Sequence, residues 1–313
     1  MKRPDIFPLL CECLSFETVA GRSNETLREK LGSNAIPWEV LAEAASHHLV
    51  SPALYWALER KQLLSCIPSD LCRYLKTLYA ANAARNCRLA ALAMGITGLL
   101  NEVQVEPVLL KGTGNMVAGL YSEPGIRYIG DIDLLVPEDR LSDCVKKLQT
   151  AGYDISDSSS DRHTHLQNKD ECISVELHWQ LVSGKFRPLL DADAVLRDSR
   201  PVLLGDRRAR IPSANHRVIH NLVHTQLLDK NYVQGRIRLR QLYDFVLLGR
   251  ILDAAIEWRR IVFIFEQKRY LGALSGYMLA GESLFGQPMR PEVRVTLYAK
   301  LYVTCVLSQS RWL

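Results

Sequence analysis

The segment Asp131-Ile132-Asp133-Leu134-Leu135-Val136 most narrows what this chain can become. It is closed by Pro137 and reads as a buried strand. Side chains two apart on a strand share a face, so Asp131 and Asp133 stand side by side while Ile132 points the other way into a core. Two adjacent carboxylates on an apolar strand repel each other unless a cation neutralises them. A hard divalent ion with oxygen ligands is the natural partner. A lone pair of this kind also occurs at strand ends that simply face water, so the rest of the chain has to decide.

Both flanks of that strand read differently from it. From residue 5 to 101 apolar residues recur every three or four positions, as in amphipathic helices packed on something. Ser23 or Asn24 suits a helix cap, and Pro37 and Pro52 suit first turns. Pro68-Ser69-Asp70 opens a long run carrying Leu71, Leu75 and Leu78 and reaching Leu100. The texture changes at Val103. Val105 to Leu110 is a short β-type run ending at Lys111-Gly112, with a helix expected from Thr113 to Tyr121. Glu138 to Ala151 predicts a helix with Leu141, Val145 and Leu148 on one face. Asp154 to Asp161 predicts a polar loop. His163 to Asn168 and Cys172 to Trp179 predict a hairpin, and Gly205-Asp206 the turn of another. After Ser213 the pattern is helical again, over Ala214 to Leu228, Arg238 to Leu252, Ile256 to Glu266, Tyr270 to Phe285 and Pro291 to Leu307. The expected fold class is α+β and mostly helical. An N-terminal helical region (1–102) and a C-terminal one (213–313) flank a small mixed-sheet α/β core (103–212).

Composition excludes some classes of protein. The chain is 48% apolar and 23% charged, which rules out bulk disorder. A net charge of +5, from 39 Lys+Arg against 34 Asp+Glu, permits an anionic ligand without arguing for nucleic acid. No stretch reaches the roughly 18 to 20 apolar residues that span a bilayer. Met1-Lys2-Arg3-Pro4-Asp5 lacks a following apolar core, so no secretory leader is expected and the cytoplasm is the expected compartment. The eight cysteines form no CxxC pair and are expected as reduced, mostly buried thiols.

Two further features accompany the aspartate pair. In Leu109-Leu110-Lys111-Gly112-Thr113-Gly114 a strand meets a glycine turn and a helix start. Free N–H groups there bind phosphate, and Lys111 adds charge. In Val175-Glu176-Leu177-His178-Trp179 an alternating strand offers a third carboxylate, Glu176. A glycine turn before a helix, a paired aspartate on the next strand and a carboxylate on a later one resemble the nucleotidyltransferase superfamily of DNA polymerase β type. Within it, the chain is similar to the bacterial family of uncharacterised nucleotidyltransferases with a Leu-Lys-Gly turn. The matching residues are Leu110-Lys111-Gly112, Tyr121, Arg127, Asp131 to Val136, Gly152-Tyr153, His165 and Val175 to Trp179. The match weakens towards His224 and Asp244.

That resemblance implies a nucleotidyltransferase-type sheet and a Mg²⁺-dependent enzyme, with Mn²⁺ as a substitute. One or two ions would be held by Asp131, Asp133 and Glu176, with Glu176 also placed to act as general base. An acceptor hydroxyl would attack the α-phosphate of a nucleoside triphosphate, ATP first among them, and pyrophosphate would leave. Lys111, Gly112 and Thr113 would hold the β- and γ-phosphates, Thr113 replacing the superfamily's usual serine. Arg127 would reach a phosphate, or else is a surface arginine in a turn. His178, His224 and Asp244 are expected at the cleft. The acceptor is a protein, an RNA or a small metabolite, and no membrane partner is expected. The alternative is a catalytically inactive nucleotide-binding or RNA-binding regulatory module of the same fold.

Two patterns mislead at first sight. His216, His220 and His224 recur every four residues along one helix face, the spacing of zinc peptidase helices. Asn221 follows His220 where such enzymes carry glutamate, so core or substrate-facing histidines are the better reading. Arg207, Arg208, Arg210, Arg217, Arg236, Arg238 and Arg240 make the later part of the chain basic. They read either as phosphate contacts or as solvated arginines near acidic partners.

Overall fold

The computed structural model describes residues 6–16, 24–33, 36–157 and 160–309, so Ser23 and the Met1–Asp5 segment lie outside the described residues. Four short helices come first: α1 (Ile6–Leu14), α2 (Asn24–Leu31), α3 (Trp38–His47) and α4 (Ser51–Arg60). The long helix α5 (Ser69–Glu102) follows. No proline interrupts it, alanines fill much of its middle, and Asp70 in its first turn suits the helix dipole. It ends where Gln104 turns left-handed at φ 60°. The next elements are β1 (Val108–Leu109), α6 (Lys111–Val117), β2 (Asp131–Leu135), α7 (Leu141–Thr150), β3 (Tyr153–Asp157), β4 (His163–Asn168) and β5 (Ser174–His178). Then come α8 (Ala192–Asp198), β6 (Arg200–Leu204), β7 (Arg207–Ile211), α9 (Ala214–Leu222), α10 (Asn231–Gln234) and α11 (Leu239–Ile251). The helices α12 (Trp258–Gln267), α13 (Leu271–Phe285) and α14 (Leu297–Gln309) complete the order.

The strands form one mixed sheet in the order β3-β4-β5-β2-β1-β7-β6. β2 runs parallel to β5 and β1 to β7, and the other neighbours are antiparallel. Ile132, Leu134, Val175, Leu177 and Leu166 pack on one face against Leu89, Ala93 and Ile96 of α5 and Leu148 of α7. The alternate positions carry Asp131 and Asp133 on β2, His163 and His165 on β4, and Glu176 and His178 on β5. Strand alternation therefore gathers the ionisable side chains on the face away from α5.

A second core joins the flanking helical regions. Leu10, Leu54 and Leu58 from the N-terminal part pack in one cluster with Leu242, Phe245, Tyr277 and Phe285 from the C-terminal part. The long helix also fixes the approach to β2. Asn82 Nδ2 donates to the Gly125 carbonyl at 2.7 Å, and Asn86 Nδ2 to the carbonyls of Pro124 at 2.6 Å and Arg127 at 2.7 Å. Arg85 donates to the carbonyls of Ile129 at 3.2 Å and Gly130 at 2.8 Å. These donors satisfy a buried loop backbone that would otherwise be costly.

The fold class is α+β and mostly helical, as the sequence predicts. Several elements differ from the pattern reading. Tyr153–Asp157 is not part of a polar loop but an edge strand, paired antiparallel with β4. Four of its five side chains are exposed, so it owes its place to backbone pairing and leaves no apolar alternation to read. The last helix begins at Leu297 rather than Pro291, because Thr296 Oγ1 accepts the Ala299 N–H at 3.1 Å and caps it there. The expected helix over 214–228 widens into a π-type turn at Val223–Leu228. No helix among the described residues is long and apolar enough to cross a membrane.

Candidate functional site

Parallel pairing of β2 with β5 sets Asp133 directly opposite Glu176. Carboxylate oxygens of Asp131, Asp133 and Glu176 all lie within 4.8 Å of one another. Such closeness needs a cation, and Lys111 provides one. Its Nζ lies 2.6 Å from Asp133 Oδ1 and 3.5 Å from Glu176 Oε2. Lys111 opens α6 with a left-handed φ of 44°, unusual for a residue with a side chain. The turn is also tight at Gly114, where a Cβ would stand 2.2 Å from the Leu109 carbonyl oxygen. Only glycine fits there, so α6 can start directly off β1.

His178, buried beside the pair, bridges it with Nε2 at 3.0 Å from Asp133 Oδ1 and 3.2 Å from Glu176 Oε2. Burial pushes the Asp133 carboxyl up, but Lys111 and the His178 hydrogen bond outweigh it and hold Asp133 well below the usual range. Burial likewise acts to raise Glu176, and the His178 hydrogen bond with Lys111 brings it down. Asp131 moves the other way. Burial and the neighbouring Asp133 raise it, and its carboxylate has no ion pair or hydrogen-bond donor among the described residues. Asp131 is thus the carboxylate with spare coordination capacity.

A cleft of about 180 Å³ opens over this floor. Lys111, Gly112, Arg127, Asp131, Asp133, Arg217, His220, His224, Arg240 and Asp244 are among the residues that line it. Lys111, Gly112, Arg127, Asp131, Asp133, His224 and Asp244 therefore meet in one place. Glu176 and His178 stand behind Asp133 and are not among the lining residues. Thr113 departs from expectation. It is fully buried and its hydroxyl donates to the Asp131 carbonyl at 3.2 Å, so it ties the turn to β2 instead of facing the cleft.

Arg127 is neither free nor at the surface. Its Nε and Nη2 reach Asp244 Oδ2 at 3.1 and 2.9 Å, and Nη1 donates to the Tyr128 carbonyl. Tyr121 completes the cluster by donating its hydroxyl to Asp244 Oδ1 at 2.9 Å. The pair fastens the start of β2 to α11.

Pattern reading did not separate Arg217, His220 and Arg240 from their neighbours. Arg217 Nε donates to Asn115 Oδ1 at 2.9 Å, while its Nη2 is buried without a partner. Arg240 Nε and His220 Nε2 are likewise buried and unpartnered. Burial lowers both arginines to about 10. His220 is pushed well down by burial, then by Lys111 and His224. The available signal was helical phase: Arg217, His220 and His224 lie three and four apart, and Arg240 lies four before Asp244. His216 faces a different groove, with Asp198 and Arg260, because a step of four overshoots the helical repeat and the row winds away. Arg207 pairs with Asp206, while Arg208 and Arg210 pair with Glu106, all outside the cleft. All eight cysteines are free thiols.

A crystal structure of an antigenic nucleotidyltransferase-like protein from Paracoccidioides brasiliensis is similar at 12% identity and a TM-score of 0.40, over 66% of this chain and 95% of that one. No curated protein matches. Residues 34–286 match the family described as uncharacterised nucleotidyltransferase. That span holds the sheet, the long helix and every residue of the cleft, and the chain belongs to this family of nucleotidyltransferases.

Proposed function

We propose that the cleft transfers a nucleoside monophosphate group from a nucleoside triphosphate, ATP first among them, to a hydroxyl acceptor, with release of pyrophosphate. The observation that carries this reading is the convergence of Asp131, Asp133 and Glu176 beneath a cleft also lined by Arg217 and Arg240, each with a buried nitrogen that has no partner. An all-oxygen donor set suits Mg²⁺ or Mn²⁺. When bound, such an ion offsets phosphate charge and lowers the barrier to attack by an acceptor oxygen.

The chain's own residues do the rest by position and charge. Asp131, Asp133 and Glu176 would hold the ion, and Lys111 would add positive charge beside them for the phosphates. The opening turn of α6 would offer a phosphate its first N–H groups, which lack intrahelical acceptors, while Gly112 leaves room there for Ile129 and Arg127. Arg217 and Arg240 would take the triphosphate oxygens that their unpartnered nitrogens need. Arg127 is a positioning residue in this scheme, since Asp244 already holds it. Glu176, kept ionised and steadied by His178, would accept the acceptor's proton.

The test is incubation with α-labelled ATP, Mg²⁺ and lysate fractionated into protein, RNA and small metabolites. Label should appear in one fraction with equimolar pyrophosphate, and Asp131→Asn should abolish both. ATP binding without transfer to any fraction would leave the inactive nucleotide-binding module.

A further inference from the structure

Beside the carboxylates lies a cluster that the transfer reading uses only in part, leaving His163 and His165 without a role. The β4–β5 register pairs His163 with His178 and His165 with Glu176 across the strands. All four side chains share the face of the sheet that carries Asp133. Ligand atoms of His163, Glu176 and His178 lie within 4.8 Å of one another. His163 Nε2 is 2.9 Å from His165 Nε2, and His165 Nδ1 is 3.6 Å from Glu176 Oε1. The His163 and His178 rings are 4.8 Å apart between centroids.

Hydrogen bonding accounts for part of this grouping, with Ser160 Oγ 3.2 Å from His163 Nδ1 and His178 Nε2 on Asp133, but not for all of it. Two imidazole nitrogens facing each other share a single proton at best. His178 Nδ1 is buried with no partner. None of His163, His165 and His178 is among the residues lining the cleft, so substrate is not what these histidines meet there. The donor chemistry also differs from that of the aspartate pair. Imidazole nitrogens with one carboxylate suit borderline ions of the zinc and cobalt type, whereas Mg²⁺ prefers oxygen alone.

We propose that His163, His178 and Glu176 form a second metal site, for a borderline divalent transition ion, with His165 beside it and Glu176 shared with the aspartate pair. The inference goes beyond nucleotidyl transfer and does not depend on it. The site is half open, with Glu176 16% and His165 30% exposed, so an ion can enter beside β4 rather than through the cleft. An ion held there would fix Glu176 on the strand and link the two sites through one carboxylate.

Co²⁺ is the probe, because nitrogen ligation gives visible absorption bands that Mg²⁺ at the aspartates cannot. The full chain without nucleotide should bind one equivalent of Co²⁺ with those bands, and Zn²⁺ should displace it. Asp131→Asn should keep the signal, while His163→Gln should weaken binding at least about tenfold. His178→Gln serves as the second variant, with circular dichroism confirming that each variant folds. Co²⁺ binding that survives His163→Gln and His178→Gln, or is lost with Asp131→Asn, overturns the proposal. Absence of nitrogen-type bands in the wild-type chain overturns it as well. Mg²⁺–ATP binding, measured separately, tests the transfer reading alone.

Discussion

The ammonium of Lys111 stands between two carboxylates that would otherwise repel across adjacent strands. Lys111→Met should therefore cost about 3 kcal/mol of stability without divalent ions, as for a broken buried pair. Added Mg²⁺ should restore part of it. Thermal melts with and without Mg²⁺ check this, and equal melting shifts in variant and wild type would contradict it. The two aspartates should respond in opposite directions. Asp131 has its carboxyl raised by burial and by Asp133, so Asp131→Asn should raise the melting temperature while abolishing transfer. Asp133→Asn strands Lys111 and His178 beside a weaker acceptor and should lower stability by about 2 to 4 kcal/mol. Chemical denaturation of both variants decides the signs. At this scale the sequence was legible where spacing fixes a face: Asp131 and Asp133 two apart, Glu176 and His178 two apart. The Asp133–Lys111 contact was not legible, because it depends on a left-handed backbone angle at Lys111 that no residue pattern announces. The Arg127–Asp244 pair joins residues 117 apart in sequence, and only the packing of α11 brings them together.

Among the elements, the β1–α6 junction bears the tightest constraint. A methyl at position 114 would stand 2.2 Å from the Leu109 carbonyl oxygen, an impossible contact for a real Cβ. Gly114→Ala should destabilise by about 3 kcal/mol and displace Lys111, lowering nucleotide affinity as well as the melting temperature. An unchanged melt would show that the turn relaxes freely. Helices α5 and α7 were readable because one apolar face repeats along each, and β2, α11 and α13 because they are apolar over most of their length. Strand β3 was not, since Tyr153–Asp157 buries little and is held by its neighbour's backbone. The start of α14 was misplaced for a related reason. Pro291 satisfies the rule for a first turn, yet the capping hydroxyl belongs to Thr296.

At the scale of the whole molecule, the helices before and after the sheet share one core, which composition and periodicity do not announce. Periodicity finds apolar faces but not their partners. His48 sits near that shared core, against Phe7 and His47. Burial, with His47 and Arg238 adding to it, lowers His48 to about 4 from 6.5. The folded chain leaves it neutral while the unfolded chain takes up a proton below about 6.5, so stability falls as pH drops from there towards 4. At about 1.4 kcal/mol per pH unit the loss reaches about 3 kcal/mol. A His48→Phe variant should flatten the melting-temperature profile between pH 4 and 6.5, and an unaltered slope would assign the acid sensitivity elsewhere. The shared core has another consequence, in time rather than space. Helix α1 packs on α13, which leaves the ribosome more than 250 residues later. At about 5 to 20 residues per second, α1 waits roughly 10 to 50 s for its partner. The face of α1 that meets α13 stays uncovered by it for that interval, so newly made chains expose an adhesive surface that finished molecules hide.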